Sequence, residues 1–115
     1  MNLEHEQHII DAFKAAAKAA EEAGRDIEDG GTSNFDSPAF RLEGRQAPTV
    51  QRIAAQAGLT VSRFTWFGQT WFFLHVPLAG QGSRRSRMSQ AAHAVLEQLA
   101  PKVPGFQALH YMQMD

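Results

Sequence analysis

The strongest constraint on the fold is an alternation of apolar and polar side chains in the middle of the chain. Residues 60–67 and 70–76 are rich in aromatic and β-branched residues, which favour strands. The two residues between these runs, Gly68 and Gln69, suit the tight turn of a β-hairpin. The pattern therefore predicts two antiparallel strands joined by a two-residue loop.

The register of this hairpin predicts two faces of different character. Pairing Phe67 with Thr70 gives one face that is aliphatic enough to join the core: Val61, Arg63, Thr65, Phe67, Thr70, Phe72, Leu74 and Val76. The other face carries four large aromatic side chains among its residues: Ser62, Phe64, Trp66, Trp71, Phe73 and His75. Exposed sheet aromatics can stack nucleic-acid bases. Because so large an apolar patch is more often covered, we expect the first helix or a second subunit to bury it.

The remaining patterns predict helices over 3–23, 48–57 and 87–99 and strands over 39–43 and 106–113. The expected fold class is α+β, with an antiparallel sheet of three to four strands around the central hairpin (60–67/70–76). Helices pack on one face of this sheet, and the element order is α-β-α-β-β-α-β. We expect a single domain over 1–115, with an N-terminal amphipathic helix (1–24) and an α+β body (25–115).

Charge is distributed unevenly along the 115 residues, although the formal net charge is only −1. Residues 1–30 hold eight acids and three bases, and residues 31–115 hold four acids and eight bases, of which seven are arginine. The absence of cysteine excludes disulfide and thiolate chemistry. No apolar run approaches the roughly 20 residues of a membrane span, and the N-terminus is polar and acidic, so we expect a cytoplasmic protein. The aromatic side chains and the thin apolar stripe of the first helix suggest a homodimer.

A glycine- and arginine-rich turn precedes the third predicted helix. Glycines allow a tight turn, and the start of a helix offers N–H groups and the positive end of its dipole. Arginine recognises phosphate and carboxylate in a planar, bidentate manner. The turn therefore predicts an anion site, although a solvated arginine-rich turn is the simpler alternative; its residues are Gly80, Gln81, Gly82, Ser83, Arg84, Arg85 and Arg87.

A second unusual loop spans residues 29–38 and is rich in Asp, Gly, Ser, Thr and Asn. Such side chains commonly hydrogen-bond their own backbone in turns. They could also contact the hydroxyls or base edges of a ligand if this loop meets the arginine-rich turn. The candidate ligand-binding residues of this loop are Thr32, Ser33, Asn34 and Asp36.

The motif at 29–38 (DGGTSNFDSP), followed by GQGSRRS at 80–86, resembles a family of small uncharacterised proteins of phages, prophages and integrative elements. The resemblance covers roughly residues 27–113, and its sharp motifs lie in the two loops. The position of Ser33 is often cysteine in that family, so this chain departs there. The resemblance implies a mobile-element setting and an accessory or anti-defence role, and it supplies no catalytic residues.

Three classes of function follow. We expect a small non-enzymatic protein that binds a phosphate-bearing ligand, either a nucleotide-like molecule or nucleic acid. The alternative is a protein-interaction module that inhibits a host complex, and the second alternative is a small enzyme acting on a nucleotide. No nucleophile-elbow, dinucleotide or P-loop motif is present, and Asp36 and His75 are an acid/base pair only if they are neighbours. The five histidines lack the spacing of a metal site, so we assign no catalytic residue, metal or cofactor.

Overall fold

The computed structural model describes residues 2–25, 27, 35–78 and 82–112. These residues form an α+β fold whose elements follow the predicted order: α1 (Leu3–Gly24), β1 (Ser37–Leu42), α2 (Ala47–Gln56), β2 (Thr60–Trp66), β3 (Gln69–His75), α3 (Ser83–Glu97) and β4 (Phe106–Tyr111). No helix in these described ranges is long and apolar enough to cross a membrane.

The four strands form one antiparallel sheet in the order β2-β3-β1-β4. From β1 onward the elements run β-α-β-β-α-β, which is the split β-α-β or ferredoxin-like arrangement, and α1 precedes it. Strand β1 lies at the centre, where it pairs with β3 on one side and with β4 on the other. The two longest-range pairings therefore depend on β1.

The central hairpin forms as predicted, but its turn lies one residue earlier. Thr65 pairs with Thr70 and Trp66 with Gln69, so the loop is Phe67-Gly68 rather than Gly68-Gln69. Both loop residues have positive φ, 49° and 73°, as a type I′ turn requires. The pairing of Phe67 with Thr70 was wrong by a shift of two residues. Because strand side chains alternate with period two, that shift leaves both predicted faces intact.

The core lies on the face of the sheet that was predicted to be aliphatic. Phe72, Leu74 and Val76 are buried there, together with Phe40 of β1 and Phe106 of β4. The Phe40 ring has three aromatic neighbours, with centroids 5.0 Å from Phe13, 5.6 Å from Phe72 and 5.6 Å from Phe106. All three helices contribute buried residues to this same cluster, including Ile9 and Phe13 of α1, Val50 and Ile53 of α2, and Met88, Ala92 and Leu96 of α3.

Helix α1 packs against α3, not against the aromatic side chains of the hairpin. Asn2 caps the helix by accepting a 2.8 Å hydrogen bond from the His5 N–H, and an alanine-rich interior favours the helical state. Its buried residues are Ile9, Ile10, Phe13, Ala16, Ala20 and Gly24. Of the two predicted covers for the aromatic side chains, α1 is thus excluded because it lies on the opposite face.

Helix α3 begins at Ser83, four residues before the predicted start at Arg87. Gly82 is the N-cap residue, and no glycine or proline between Gly82 and Arg87 interrupts the helix. Arg84 and Arg85 therefore lie in the first turn of α3 and not in the preceding loop, and Arg87, the predicted first residue of the helix, lies one turn further along.

Candidate functional site

The structure describes six of the eleven predicted ligand-binding residues: Asp36, Gly82, Ser83, Arg84, Arg85 and Arg87. The other five, Thr32, Ser33, Asn34, Gly80 and Gln81, lie outside the described residues. Asp36 is buried immediately before β1, and Arg84 and Arg85 are half-buried at the start of α3. The described ends of the two motif loops can therefore be located relative to each other.

Arg85 connects the first turn of α3 to the segment that leads into β1. Its Nε–H donates a 3.1 Å hydrogen bond to the Asp36 carbonyl, and one terminal nitrogen donates a 3.2 Å bond to Ser37 Oγ. The start of α3 thus lies beside the segment that leads into β1. The contact gives Arg85 a structural role that a sequence pattern cannot reveal.

Arg84 explains part of the unusual concentration of cations at the start of α3. Its Nε–H donates a 2.9 Å hydrogen bond to the carbonyl of Gly24, the last residue of α1. The C-terminal end of a helix is the negative end of its dipole, and the last turn of α1 has no basic residue of its own. Arg84 therefore adds a cation at the C-terminal end of α1, next to the C-cap residue Arg25.

A polar cluster lies beneath these arginines, between α3 and the end of β4. Ser89, which is 0% exposed, and His110 are joined by a 2.7 Å hydrogen bond between Oγ and Nε2. The His93 and His110 rings stack at 5.5 Å, and Nδ1 of His93 is buried without a hydrogen-bond partner among the described residues. The sequence analysis missed this cluster. Ser89 and His110 occupy core-facing positions, and a polar residue at such a position indicates a buried hydrogen bond.

Ser89 and His110, with the Asp36 carboxylate near His110, are the residue types of a catalytic triad, but they do not support nucleophilic catalysis. Asp36 is close enough to act electrostatically on His110, whereas His75 bonds Ser62 on the other side of the sheet. Ser89 lies in the interior of α3 and exposes no surface to a substrate. A nucleophile must reach the reacting atom, so this hydroxyl serves as a buried hydrogen-bonding group.

Replacing Arg85 with alanine is expected to lower the free energy of unfolding by about 1–3 kcal/mol, because hydrogen bonds from a charged donor contribute on this scale. The matched control is Arg87→Ala, which removes the same charge from an exposed position of the same helix. Urea denaturation measures both variants. Equal stability of the two would show that the bonds to Asp36 and Ser37 contribute nothing.

His110 makes the stability depend on pH in a defined direction. Burial lowers the pKa of its imidazole below the ordinary value of 6.5, His93 acts in the same direction, and the Asp36 carboxylate opposes them. The unfolded chain therefore takes up the proton first, and stability falls as the pH drops through 6.5 towards the folded pKa. The slope from this group is at most about 1.4 kcal/mol per pH unit.

Unfolding measured at about pH 7.5 and about pH 5.5 tests this dependence in the wild type and in His110→Gln. The wild type is expected to lose more stability on acidification than the variant, since the other four histidines are common to both. An identical loss in the two proteins would contradict the expectation.

The second candidate region is the aromatic face, which we define as Phe64, Trp66, Trp71, Phe73 and Tyr111. The Phe64 and Phe73 rings stack with centroids 4.0 Å apart and 14° between their planes. Tyr111 meets both rings edge-on, at 5.7 Å and 5.2 Å, which adds a β4 residue that the sequence analysis had not placed here. Trp66 lies perpendicular to Trp71 at 5.8 Å and is 37% exposed.

No described helix lies on the aromatic face, because α1, α2 and α3 all pack on the other side of the sheet. Strand register places Arg41 and His75 on this face and no aspartate or glutamate of the four strands. The acidic helix α1 is in the opposite layer. The aromatic face thus combines flat apolar rings with cationic and neutral polar groups.

Comparisons with protein-family models, with curated proteins and with solved structures gave no significant match. The functional argument therefore depends on the geometry of the aromatic face and of the polar cluster.

Proposed function

We propose that this protein binds single-stranded nucleic acid on its aromatic face. The observation that carries the proposal is a sheet surface with stacked aromatic rings, no carboxylate on its strands and no described helix above it. Unpaired bases stack on such rings irrespective of sequence, because every base has a π-face. In this proposal, the sheet binds the phosphate-bearing ligand that was expected from the sequence.

Two further features support a polyanionic ligand here. Arg41 shares the face with the rings, and the acidic residues of α1 lie in the helix layer on the other side of the sheet. The split β-α-β topology adds an analogy: RNA-recognition motifs stack two or three bases on the aromatics of a four-stranded sheet. The analogy is one of architecture and carries less weight than the face itself.

The arginine-rich turn is a weaker location for the ligand. Arg84 and Arg85 each donate an Nε–H to a protein carbonyl, so part of their capacity is already used within the fold. Binding of a phosphate by this turn and the neighbouring loop stays a prediction. It would appear as a loss of affinity in Arg87→Ala, whose exposed side chain is not needed for the fold.

A second copy of the chain is the competing occupant of the aromatic face, as the expected homodimer requires. Docking onto a host protein, which the mobile-element resemblance suggests, is favoured by Phe67, 84% exposed at the hairpin tip beside Trp66. Sedimentation at increasing protein concentration separates assembly from ligand binding. A stable dimer that Phe73→Ala dissociates, without any oligonucleotide binding, would assign the face to assembly.

Fluorescence anisotropy with labelled oligonucleotides of about eight nucleotides tests the proposal. Single-stranded DNA and RNA are compared with a duplex of the same sequence at about 50 mM salt. Single strands are expected to bind at least about tenfold more tightly, because bases in a duplex are stacked on each other and cannot present their faces. Tighter binding of the duplex, or no binding of either single strand, would contradict the proposal.

A further inference from the structure

The sheet contains a notch between its two central strands. Pairing of β1 with β3 is limited to Ala39↔Phe73 and Phe40↔Phe72. Beyond this point β1 continues to Leu42 along β4, while β3 reaches back to Gln69 along β2. The last residues of β1 and the first residues of β3 are therefore not paired with each other.

A cavity of about 350 Å³ occupies the notch. Its walls come from the end of β1, the loop that follows it and the turn of the β2–β3 hairpin; they include Arg41, Glu43, Arg45, Gly68, Gln69 and Thr70. Arg41 and Arg45 are half-buried, and within residues 35–78 neither forms an ion pair. The single carboxylate among these walls, that of Glu43, is exposed to solvent.

The notch borders both faces of the sheet, since Leu42, Thr70 and Phe72 of its walls lie on the core face. Arg41 and Gln69 line the cavity and belong to the same sheet face as Trp71 and Phe73. The indole N–H of Trp71, the second residue after Gln69, is buried without a hydrogen-bond partner among the described residues, and Trp71 is only 6% exposed. Cationic side chains and flat aromatic rings thus follow one another along the surface.

We infer that the notch is a phosphate subsite, in which Arg41 and Arg45 hold a phosphodiester of the strand whose bases stack on the aromatic face. The inference rests on the proposed function, since it assigns the backbone contact of the same ligand. Guanidinium groups suit this role because two of their N–H groups can bind two phosphate oxygens. The subsite fixes the position of the strand along the sheet, and the rings hold its bases.

The test compares Arg41→Ala/Arg45→Ala with the charge-matched control Arg63→Ala/Arg87→Ala, whose exposed side chains lie away from the notch. Anisotropy titrations use the same labelled single strand between about 50 and about 200 mM salt. The notch variant is expected to bind about tenfold more weakly at low salt. The slope of log K against log salt is expected to fall by about 0.7 for each phosphate that the variant no longer neutralises, while the control keeps the wild-type slope.

The variant Arg41→Lys/Arg45→Lys is the control for a loss of structure. It keeps both charges, so it is expected to retain the slope of log K against log salt. Thermal melting confirms that each variant is folded. Wild-type affinity and slope in the folded alanine variant would overturn the subsite and leave the proposed function standing. Failure of the wild type to bind any single strand would overturn both. A loss of affinity confined to the control pair would overturn the subsite by moving the phosphate contact to Arg63 or Arg87.

Discussion

Replacing Phe40 with alanine is expected to lower the free energy of unfolding by about 3–5 kcal/mol, the largest effect of any single truncation proposed for this chain. Phe40 is 0% exposed and lies on the central strand, where its ring contacts the rings of Phe13, Phe72 and Phe106. Truncation removes apolar contacts to three secondary-structure elements at once. It also leaves a cavity that packed strands and helices cannot readily close.

Urea or thermal denaturation followed by circular dichroism measures this effect, with Phe67→Ala as the matched control. Phe67 has the same side chain but is 84% exposed at the hairpin turn, so its truncation is expected to change stability by no more than about 0.5 kcal/mol. Because the whole stability of a small domain is only about 5–15 kcal/mol, Phe40→Ala is expected to leave a marginally stable protein. Comparable losses in the two variants would contradict the core described above.

The second large effect concerns ligand binding. The double variant Phe64→Ala/Phe73→Ala removes the stacked pair at the centre of the aromatic face. Stacking of a base on an aromatic side chain is worth about 1–3 kcal/mol. Removal of two such stacking contacts is therefore expected to weaken binding of a single-stranded oligonucleotide by about 30-fold or more.

Two controls separate stacking from loss of structure. Phe64 and Phe73 are half-buried on the face opposite the core, so the variant is expected to stay folded. Phe64→Leu/Phe73→Leu keeps apolar side chains of similar size but has no flat ring, and it is expected to lose most of the affinity as well. Full affinity of the leucine variant would show that the oligonucleotide does not stack on these residues.

The fold could be predicted from the sequence wherever a periodic pattern of apolar residues extended over many positions. The alternation over 60–76 identified the core face and the aromatic face. Successive side chains of a strand point to opposite faces, so the face of each residue follows from its odd or even position. The turn was harder to predict because Gly68-Gln69 suits a type II′ turn and Phe67-Gly68 a type I′ turn. The structure adopts the second, at the cost of a positive φ at Phe67.

The arrangement of the candidate site was harder to predict from the sequence, because it depends on contacts between distant parts of the chain. Arg84 and Arg85 were predicted to bind an anion, yet the hydrogen-bond partners that the structure gives them, Gly24 and Asp36, lie 60 and 49 residues away. Nothing in the local sequence specifies such pairs. The bond between Ser89 and His110 likewise requires α3 to lie over the end of β4, which follows only from the strand order.

The aromatic face combines information from the sequence pattern with information from the strand order of the structure. Its hairpin residues were predicted from period-two alternation, whereas Tyr111 joins them because β4 lies two strands away from β3, across β1. Helix α1 was one of two predicted covers for this face, and the sequence could not exclude it. At its end α1 approaches α3 so closely that a side chain at Gly24 would collide with Met88.

The most direct test of the central claim is a heteronuclear NMR titration of the isotopically labelled protein with a single-stranded oligonucleotide of about eight nucleotides. The account predicts that the largest shift changes map to the aromatic face, including the indole N–H signals of Trp66 and Trp71. The amides of α1 are expected to move least, because that helix lies in the opposite layer. Changes confined to the first turn of α3, or no change on the sheet at saturating oligonucleotide, would contradict it.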